Sequence, residues 1–323
     1  MAKEILIPEI VSGLAARAKV LVLGSAFVDM VVKIAKLPTS GMDVAGRFQE
    51  TIVGGCSFNV ADVFYKLGLE FESFMPIGRG ETSSIVRREF AARGYPIQQV
   101  DTDEDNGWCL SLVEDGGERT FISMFGVEQS IKYEWLVEHA AGTYDYAYVS
   151  GYQLEGASGG AILRYLSERK GVKIFFDPGP RIREIGFDRL GELFALAPIL
   201  KVNSAEAREL AGLDDPVEAA RVLAKRTGED VVLTCGAVGS YVVEPDGGLI
   251  HHEGFSISVA DTIGSGDSHA GGYLAGLACG LSKREALILA NAVAAVVTSR
   301  VGAACAPTRQ ELQSFFLKMG KGK

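Results

Sequence analysis

Residues 261–267 read Asp261-Thr262-Ile263-Gly264-Ser265-Gly266-Asp267, two carboxylates flanking a pair of glycines. Downstream, Ala270, Tyr273, Leu274 and Leu277 recur at helical spacing, and Gly280 stands where such a helix would stop. The spacing predicts that Gly264, Ser265 and Gly266 open a helix. Free backbone N–H groups point outward at that end, and the helix dipole adds partial positive charge. Glycines let a ligand come close, so the segment can hold a phosphate or a developing oxyanion. Asp267 stands beside that pocket. It can take a proton from an attacking hydroxyl, or it can cap the helix, and the local pattern leaves both open. No GxxxxGK[ST] loop occurs, and the third glycine of GxGxxG is missing. The stretch from Gly24 to Asp29 does not supply it either, which speaks against a nicotinamide dehydrogenase.

The elements that must position this segment follow from the hydrophobic pattern. Short apolar runs at 19–24, 71–78, 144–151, 172–177, 199–203 and 230–236 read as buried strands. Amphipathic segments lie between them. In one, Phe58, Val60, Ala61, Val63, Phe64 and Leu67 share a face and Gly68 ends it. This alternation predicts an α/β fold with a mainly parallel, doubly wound sheet and ligands near the carboxyl ends of its strands. Two regions break the rhythm, 30–53 and 107–125. The second reads as a hairpin around an Asp- and Gly-rich turn at 114–117. Together they predict a small separate sheet. Residues 1–18 read as a short arm or helix without an assigned role, and 318–323 as a frayed terminus.

The 323 residues are 47% hydrophobic and 23% charged, an ordinary folded composition. The net charge of −9 gains nothing from counterion release, so nucleic acid is not an expected partner. Arg87, Arg88 and Arg93 read as the wet face of a helix. Cys56, Cys109, Cys235, Cys279 and Cys305 form no CxxC pair and read as reduced thiols of a cytoplasmic protein. No apolar run reaches the roughly 20 residues that span a bilayer, and residues 1–18 lack a signal-peptide core, so no membrane association is expected.

The segment 261–267, followed by Gly271 and Gly272, resembles the C-terminal signature of the ribokinase (PfkB-like) carbohydrate kinase family. Gly54-Gly55-Cys56-Ser57-Phe58-Asn59-Val60-Ala61, with Gly68 and Gly78 beyond, resembles its N-terminal signature. The likeness runs from about Val20 to Leu312. The stretch Asp105-Asn106-Gly107-Trp108-Cys109 is similar to an uncharacterised bacterial sugar kinase branch of that family. The resemblance implies one ribokinase-like kinase domain over 1–323, a three-layer α/β fold with a small β-sheet lid made from about 30–53 and 107–125. It implies ATP-dependent transfer of the γ-phosphate to a hydroxyl of a small sugar or sugar-like acceptor. A nucleoside is the alternative acceptor, and a non-catalytic sensor is the competing class. Asp267 becomes the general base, and the backbone of Gly264, Ser265 and Gly266 the stabiliser of transferring charge.

The resemblance also implies roles for other residues. Asp29 would hold acceptor hydroxyls, where a turn or cap aspartate is the plainer reading. Gly54, Gly55 and Asn59 would form the acceptor loop. Asn203 and Glu206 would face the ATP phosphates and Mg2+, with Glu206 acting through bound water, although Asn-x-x-Glu is equally a capping box. Thr234, Gly236 and Gly239 would lie near the nucleotide, or simply turn a hairpin. Asn291 would lie near the adenine, or be a core amide. Asp261, Ile263, Val297, Arg300 and Gly302 match a monovalent cation site, a candidate for K+, but Ala306 stands where a serine is usual. His269 replaces a usual phenylalanine and should pack beside the site. His251 and His252 read as a chance surface pair rather than a metal site. Trp108, Leu110, Phe121 and Phe125 of the hairpin would cover an apolar base or pack the sheet. In relatives the lid pairs with that of a second subunit, so a homodimer is expected, measurable by light scattering.

Overall fold

The computed structural model describes the backbone of residues 2–320 and the side chains of 7–317. In chain order its strands are β1 (Val20–Leu23), β2 (Phe27–Ile34), β3 (Gly46–Gly54), β4 (Glu72–Phe74), β5 (Trp108–Glu114) and β6 (Arg119–Met124). They continue with β7 (Tyr146–Ser150), β8 (Lys173–Asp177), β9 (Ile199–Asn203), β10 (Val231–Thr234), β11 (Ser240–Val243) and β12 (Leu249–His252). The helices are α1 (Ala2–Ser12), α2 (Cys56–Lys66), α3 (Glu81–Arg93), α4 (Tyr133–His139), α5 (Gly151–Leu154), α6 (Ser158–Ser167) and α7 (Ile182–Ile185). They end with α8 (Phe187–Ala195), α9 (Ser204–Ala211), α10 (Pro216–Thr227), α11 (Ser265–Ala278), α12 (Lys283–Thr298) and α13 (Arg309–Gly320).

Eight strands form the large sheet in the order β12-β11-β10-β9-β8-β7-β1-β4. The pairs from β4 to β10 are parallel, and β11 and β12 add an antiparallel edge. Alternate residues face opposite sides of a strand, and two cores result. Val20 and Val22 join Phe58 of α2, Tyr273 of α11, Leu287 of α12 and Leu312 of α13 on one face. Leu21 and Leu23 join Leu136 of α4, Ile162 of α6, Leu190 of α8 and Leu223 of α10 on the other. This is the three-layer α/β arrangement expected from the sequence.

The second sheet has the order β3-β2-β5-β6, with β2 and β5 parallel and the outer pairs antiparallel. It contains both regions that broke the alternation. Glu128 fastens the base of its hairpin, accepting Gly107 N at 3.0 Å and Gly126 N at 2.7 Å.

Three expectations need correction. The chain end is helical through Gly320, because Leu312 and Phe316 of α13 are buried in the core; residues 321–323 lie outside the described residues. Arg93 is not a wet-face residue: it turns inward to an ion pair with the buried Asp62 and bonds Glu89 at 2.7 Å. His252 is buried, with its backbone and ring both bonded by Asn291, while His251 stacks on Tyr241 at 4.3 Å; they are no surface pair.

Candidate active site

Helix α11 begins where the apolar spacing placed it. Its N-cap is Gly264 in the left-handed region (φ 69°), which a Cβ-bearing residue adopts only with strain. Two later glycines seat the helix. A Cβ at Gly271 would come within 2.9 Å of Val63 in α2, and one at Gly272 within 2.9 Å of Ala290 in α12. The helix start is thereby wedged between two neighbours. Asp267 is its third residue, so the capping alternative falls away. Its Oδ2 accepts Asn59 Nδ2 at 2.7 Å, and Asn59 Oδ1 accepts Ala304 N at 3.0 Å, which fixes the amide orientation. Burial, then the Asp177 carboxylate, push the Asp267 carboxyl up, against the pull of Asn59, Lys201 and Cys56. Burial and Asp267 also push the Cys56 thiol up, so it stays protonated and donates to Asp267.

On one side of this helix start lies a cavity of about 260 Å3. Asp29, Gly55, Asn59, Ile263, Gly264 and Asp267 line it, with Phe27, Phe121, Phe125 and Tyr152 as an aromatic wall. Asp29 belongs to β2 and not to a turn or cap, and burial raises its carboxyl to about 6. Gly54 stands behind it, where a Cβ would come to 2.6 Å of Asp29 Oδ2. Gln153, which the sequence reading did not single out, also lines the cavity. Its Oε1 accepts Ser150 Oγ at 2.6 Å, and its buried Nε2 has no hydrogen-bond partner among the described residues. Among the described residues no lysine or arginine lines this cavity.

On the other side lies a wider cavity of about 610 Å3, lined by Ser265, Gly266, Asn203, Thr234, Gly236, Gly239, His269 and Asn291. Thr234 ends β10, and Gly236 and Gly239 both have positive φ in the turn to β11, so this element is a hairpin turn and a cavity wall at once. Asn203 and Glu206 form a capping box on α9. Glu206 Oε2 accepts Asn203 N at 2.8 Å and Oε1 accepts Asn203 Nδ2 at 2.7 Å. Glu206 sits behind Asn203, and burial and Asp177 raise its carboxyl to about 7. Asn291 is the core amide of one reading and also lines the cavity. Its Oδ1 accepts Ser240 Oγ at 2.7 Å and His269 Nε2 at 3.0 Å. Burial, then Lys201, lower His269 to about 3, so its ring stays neutral.

Between and beneath the cavities is a pair that the sequence reading missed. Lys201 Nζ of β9 meets Asp177 Oδ2 of β8 at 2.9 Å, both nearly fully buried. A Cβ at Gly266 would come within 3.0 Å of the same ammonium. Burial alone would push Lys201 down, but Asp177, Glu206 and Asp267 more than offset it and hold it charged. A lysine within the apolar run Ile199-Leu200-Lys201-Val202 is the signal that was available, since lysine is seldom buried without a partner.

The remaining predicted residues gather in two loops and the last turn of α12. Asp261 Oδ1 accepts Ile263 N at 3.1 Å and Oδ2 accepts Gly302 N at 3.0 Å, so one carboxylate ties 261–263 to 300–302. Val297 O accepts Arg300 N at 2.9 Å beside them. Arg119 of β6 also donates to Asp261 Oδ2, at 2.8 Å.

A mainly parallel sheet with a glycine-opened helix between two cavities can bring two small molecules together at one helix start. The chain belongs to the pfkB family carbohydrate kinases, whose match spans residues 17–309, and it is thus a phosphotransferase of the sugar and nucleoside kinase class. It is 38% identical over 313 residues to the uncharacterized sugar kinase YegV of Escherichia coli K12, covering 95% of each chain. Ribokinase from Thermotoga maritima superposes with a TM-score of 0.78 at 22% identity, over 93% of this chain and 99% of that one. Aminoimidazole riboside kinase from Salmonella enterica, solved with aminoimidazole riboside and an ATP analog, gives 0.74 at 25% identity, over 93% and 99%.

Proposed function

We propose that the protein transfers the γ-phosphate of ATP to a hydroxyl of an uncharged sugar or sugar-like acceptor, with Asp267 as general base. The observation that carries this reading is the α11 N-terminus dividing two cavities: Gly264 and Asp267 line one, Ser265 and Gly266 the other. The acceptor occupies the smaller cavity. Asp29, Asn59 and the unpartnered Nε2 of Gln153 hold its hydroxyls. Among the described residues no lysine or arginine lines this cavity, so Asp29 and Asp267 would repel a phosphorylated acceptor there, and the acceptor is assigned as neutral. The aromatic wall favours nucleosides as the second acceptor class.

ATP occupies the larger cavity, against Asn203, Thr234, Gly236, Gly239 and Asn291. The attacking O–H gives its proton to the Asp267 carboxylate, a new O–P bond forms to the γ-phosphorus, and its bond to the bridging oxygen breaks to release ADP. The N–H groups of Gly264 and Gly266, with Lys201 beneath, stabilise charge on the transferring group, while that of Ser265 is taken by Thr262 O at 3.2 Å. Mg2+, when bound, neutralises phosphate charge. The residues present fit it: Asp177, Glu206 and Asp267 all act on a single ammonium, Lys201, which leaves negative charge in excess, and Glu206, bonded to Asn203, would reach the ion through water. Arg119 already sets a positive charge on Asp261, and Ala306 offers no hydroxyl, so ATP and Mg2+ are assigned and K+ is not. The four-stranded sheet serves as a lid that keeps water from the phosphate.

The test is an ADP-release screen with ATP and Mg2+ against neutral sugars, sugar phosphates and nucleosides, with and without K+. Release that depends on a neutral acceptor supports the reading. Release with sugar phosphates alone sinks the neutral-acceptor assignment.

A further inference from the structure

The lid touches the catalytic loops through a charged contact that the reaction as described does not use. Arg119 opens β6, opposite Val113 of β5. It lies on the same strand face as Phe121 and Ser123, which line the acceptor cavity. From that face its guanidinium donates to Asp261 Oδ2 at 2.8 Å, across 142 residues of chain. The Asp261 side chain is only 3% exposed, and that of Arg119 22%.

What Asp261 holds gives the contact its meaning. Oδ1 accepts the amide of Ile263, the residue before the Gly264 N-cap. Oδ2 also accepts the amide of Gly302. Two residues on, Ala304 N bonds Asn59 Oδ1, and Asn59 bonds Asp267. One carboxylate therefore fixes the turn into the anion-binding helix start and the loop that orients the base. Without a guanidinium it would stay buried with only two amide donors, an under-compensated charge.

We propose that Arg119 is a positioning residue that latches the lid to Asp261, so that closing the lid over the acceptor and setting the Gly264 turn are one event. The consequence for catalysis rests on the kinase reading above; the latch does not. An open lid leaves Asp261 without its cation, and the loops that set Gly264 and Asn59 relax together. A closed lid restores both, and phosphate transfer then proceeds only over a covered acceptor.

Two measurements on the full chain test this. Hydrogen–deuterium exchange of residues 107–125, with no ligand added, should run about tenfold faster in Arg119→Gln, the scale of losing one charged hydrogen bond. Asp261→Asn should do the same, and the double variant should add little. Arg119→Lys should lie nearer the wild type. With an acceptor from the screen, Arg119→Gln should lower kcat about tenfold and leave the KM for ATP within about twofold. Unchanged exchange in Arg119→Gln overturns the latch. Faster exchange with unchanged kcat overturns its link to the catalytic loops. If no acceptor is phosphorylated by the wild type, the exchange result still decides the latch while the kinase reading fails separately. Should Arg119→Gln not fold, Arg119→Lys carries the same comparison at smaller amplitude.

Discussion

The two cavities on either side of α11 are built from different materials. The smaller is walled by side chains with specific chemistry: carboxylates at Asp29 and Asp267, amides at Asn59 and Gln153, and four aromatic rings. The larger is walled mostly by small residues and backbone, with Gly236, Gly239, Gly254, Gly266, Ala237, Ala294 and Ala295 among its lining. A wall of side chains discriminates among hydroxyl patterns, because each missing hydroxyl leaves a buried polar group unpaired. A wall of backbone binds a phosphate chain and a flat base with little dependence on any one side chain. If the smaller cavity holds the acceptor and the larger the nucleotide, as proposed, substitutions should cost much in the first and little in the second.

The largest effect is expected at Asp267, which lines the smaller cavity and is proposed as the base. Asp267→Asn should lower kcat about 10²- to 10⁴-fold, the usual worth of a general base, while ATP still binds. Single-turnover kinetics beside ATP titration would show it, and near-normal turnover would remove Asp267 from its role. Next comes the buried pair beneath both cavities. Lys201→Met leaves Asp177 buried and unpaired and should cost roughly 3–5 kcal/mol of stability. Thermal melts should show much of that loss recovered when Asp177→Asn is added, with activity still absent. Recovery of activity as well would make the pair merely structural.

What the sequence made legible follows the range of the interaction. The apolar runs, the glycines that end helices and the glycine-opened start of α11 are local patterns, and they lie where the spacing placed them. Gly271 and Gly272 were visible as a motif, but their task of admitting α2 and α12 needed the packing. Lys201 and Asp177 lie on separate strands, so the lysine in its apolar run signals a buried partner without saying which residue it is. Arg119 and Asp261 are farther apart still. Of the antiparallel edge only the turn at Thr234, Gly236 and Gly239 was legible; β11 and β12 themselves are four-residue strands and carry little periodicity, although the Asp246-Gly247-Gly248 turn between them is the kind of signal read at 114–117. Conversely, Arg93 looked solvated because a helix face was judged from charge alone, while its partner Asp62 lies on another helix.

A smaller effect, with a sign that depends on pH, should come from Asp29. Its folded carboxyl lies at about 6, above the ordinary value of 3.8, because burial disfavours the charge. Between about 4 and 6 the folded state holds a proton that the unfolded chain has lost. Its contribution to stability is thus greatest below about 4, declines as pH rises to about 6 and is flat beyond. Asp29→Asn removes that penalty, so its Tm gain over wild type should be larger at pH 8 than at pH 4. The same change should lower kcat/KM for the acceptor roughly 10- to 100-fold, the worth of a hydrogen bond to a charged group. In the wild type, kcat/KM for the acceptor should fall as pH drops through about 6, as Asp29 takes up its proton. A Tm difference independent of pH would contradict the burial of Asp29.

The smallest effect should be found across the helix. Thr234 lines the larger cavity, and its hydroxyl has only a 3.4 Å bond to Val202 O. Thr234→Ala keeps the backbone that forms the wall and removes one weakly held hydroxyl. It should change the KM for ATP less than about threefold, a free-energy change below one ordinary hydrogen bond, and leave kcat alone. Steady-state kinetics with varied ATP would decide it. A tenfold rise in KM would mean that the Thr234 side chain binds the nucleotide directly, and the contrast between a wall of side chains and a wall of backbone would then fail at the position chosen to be its mildest test.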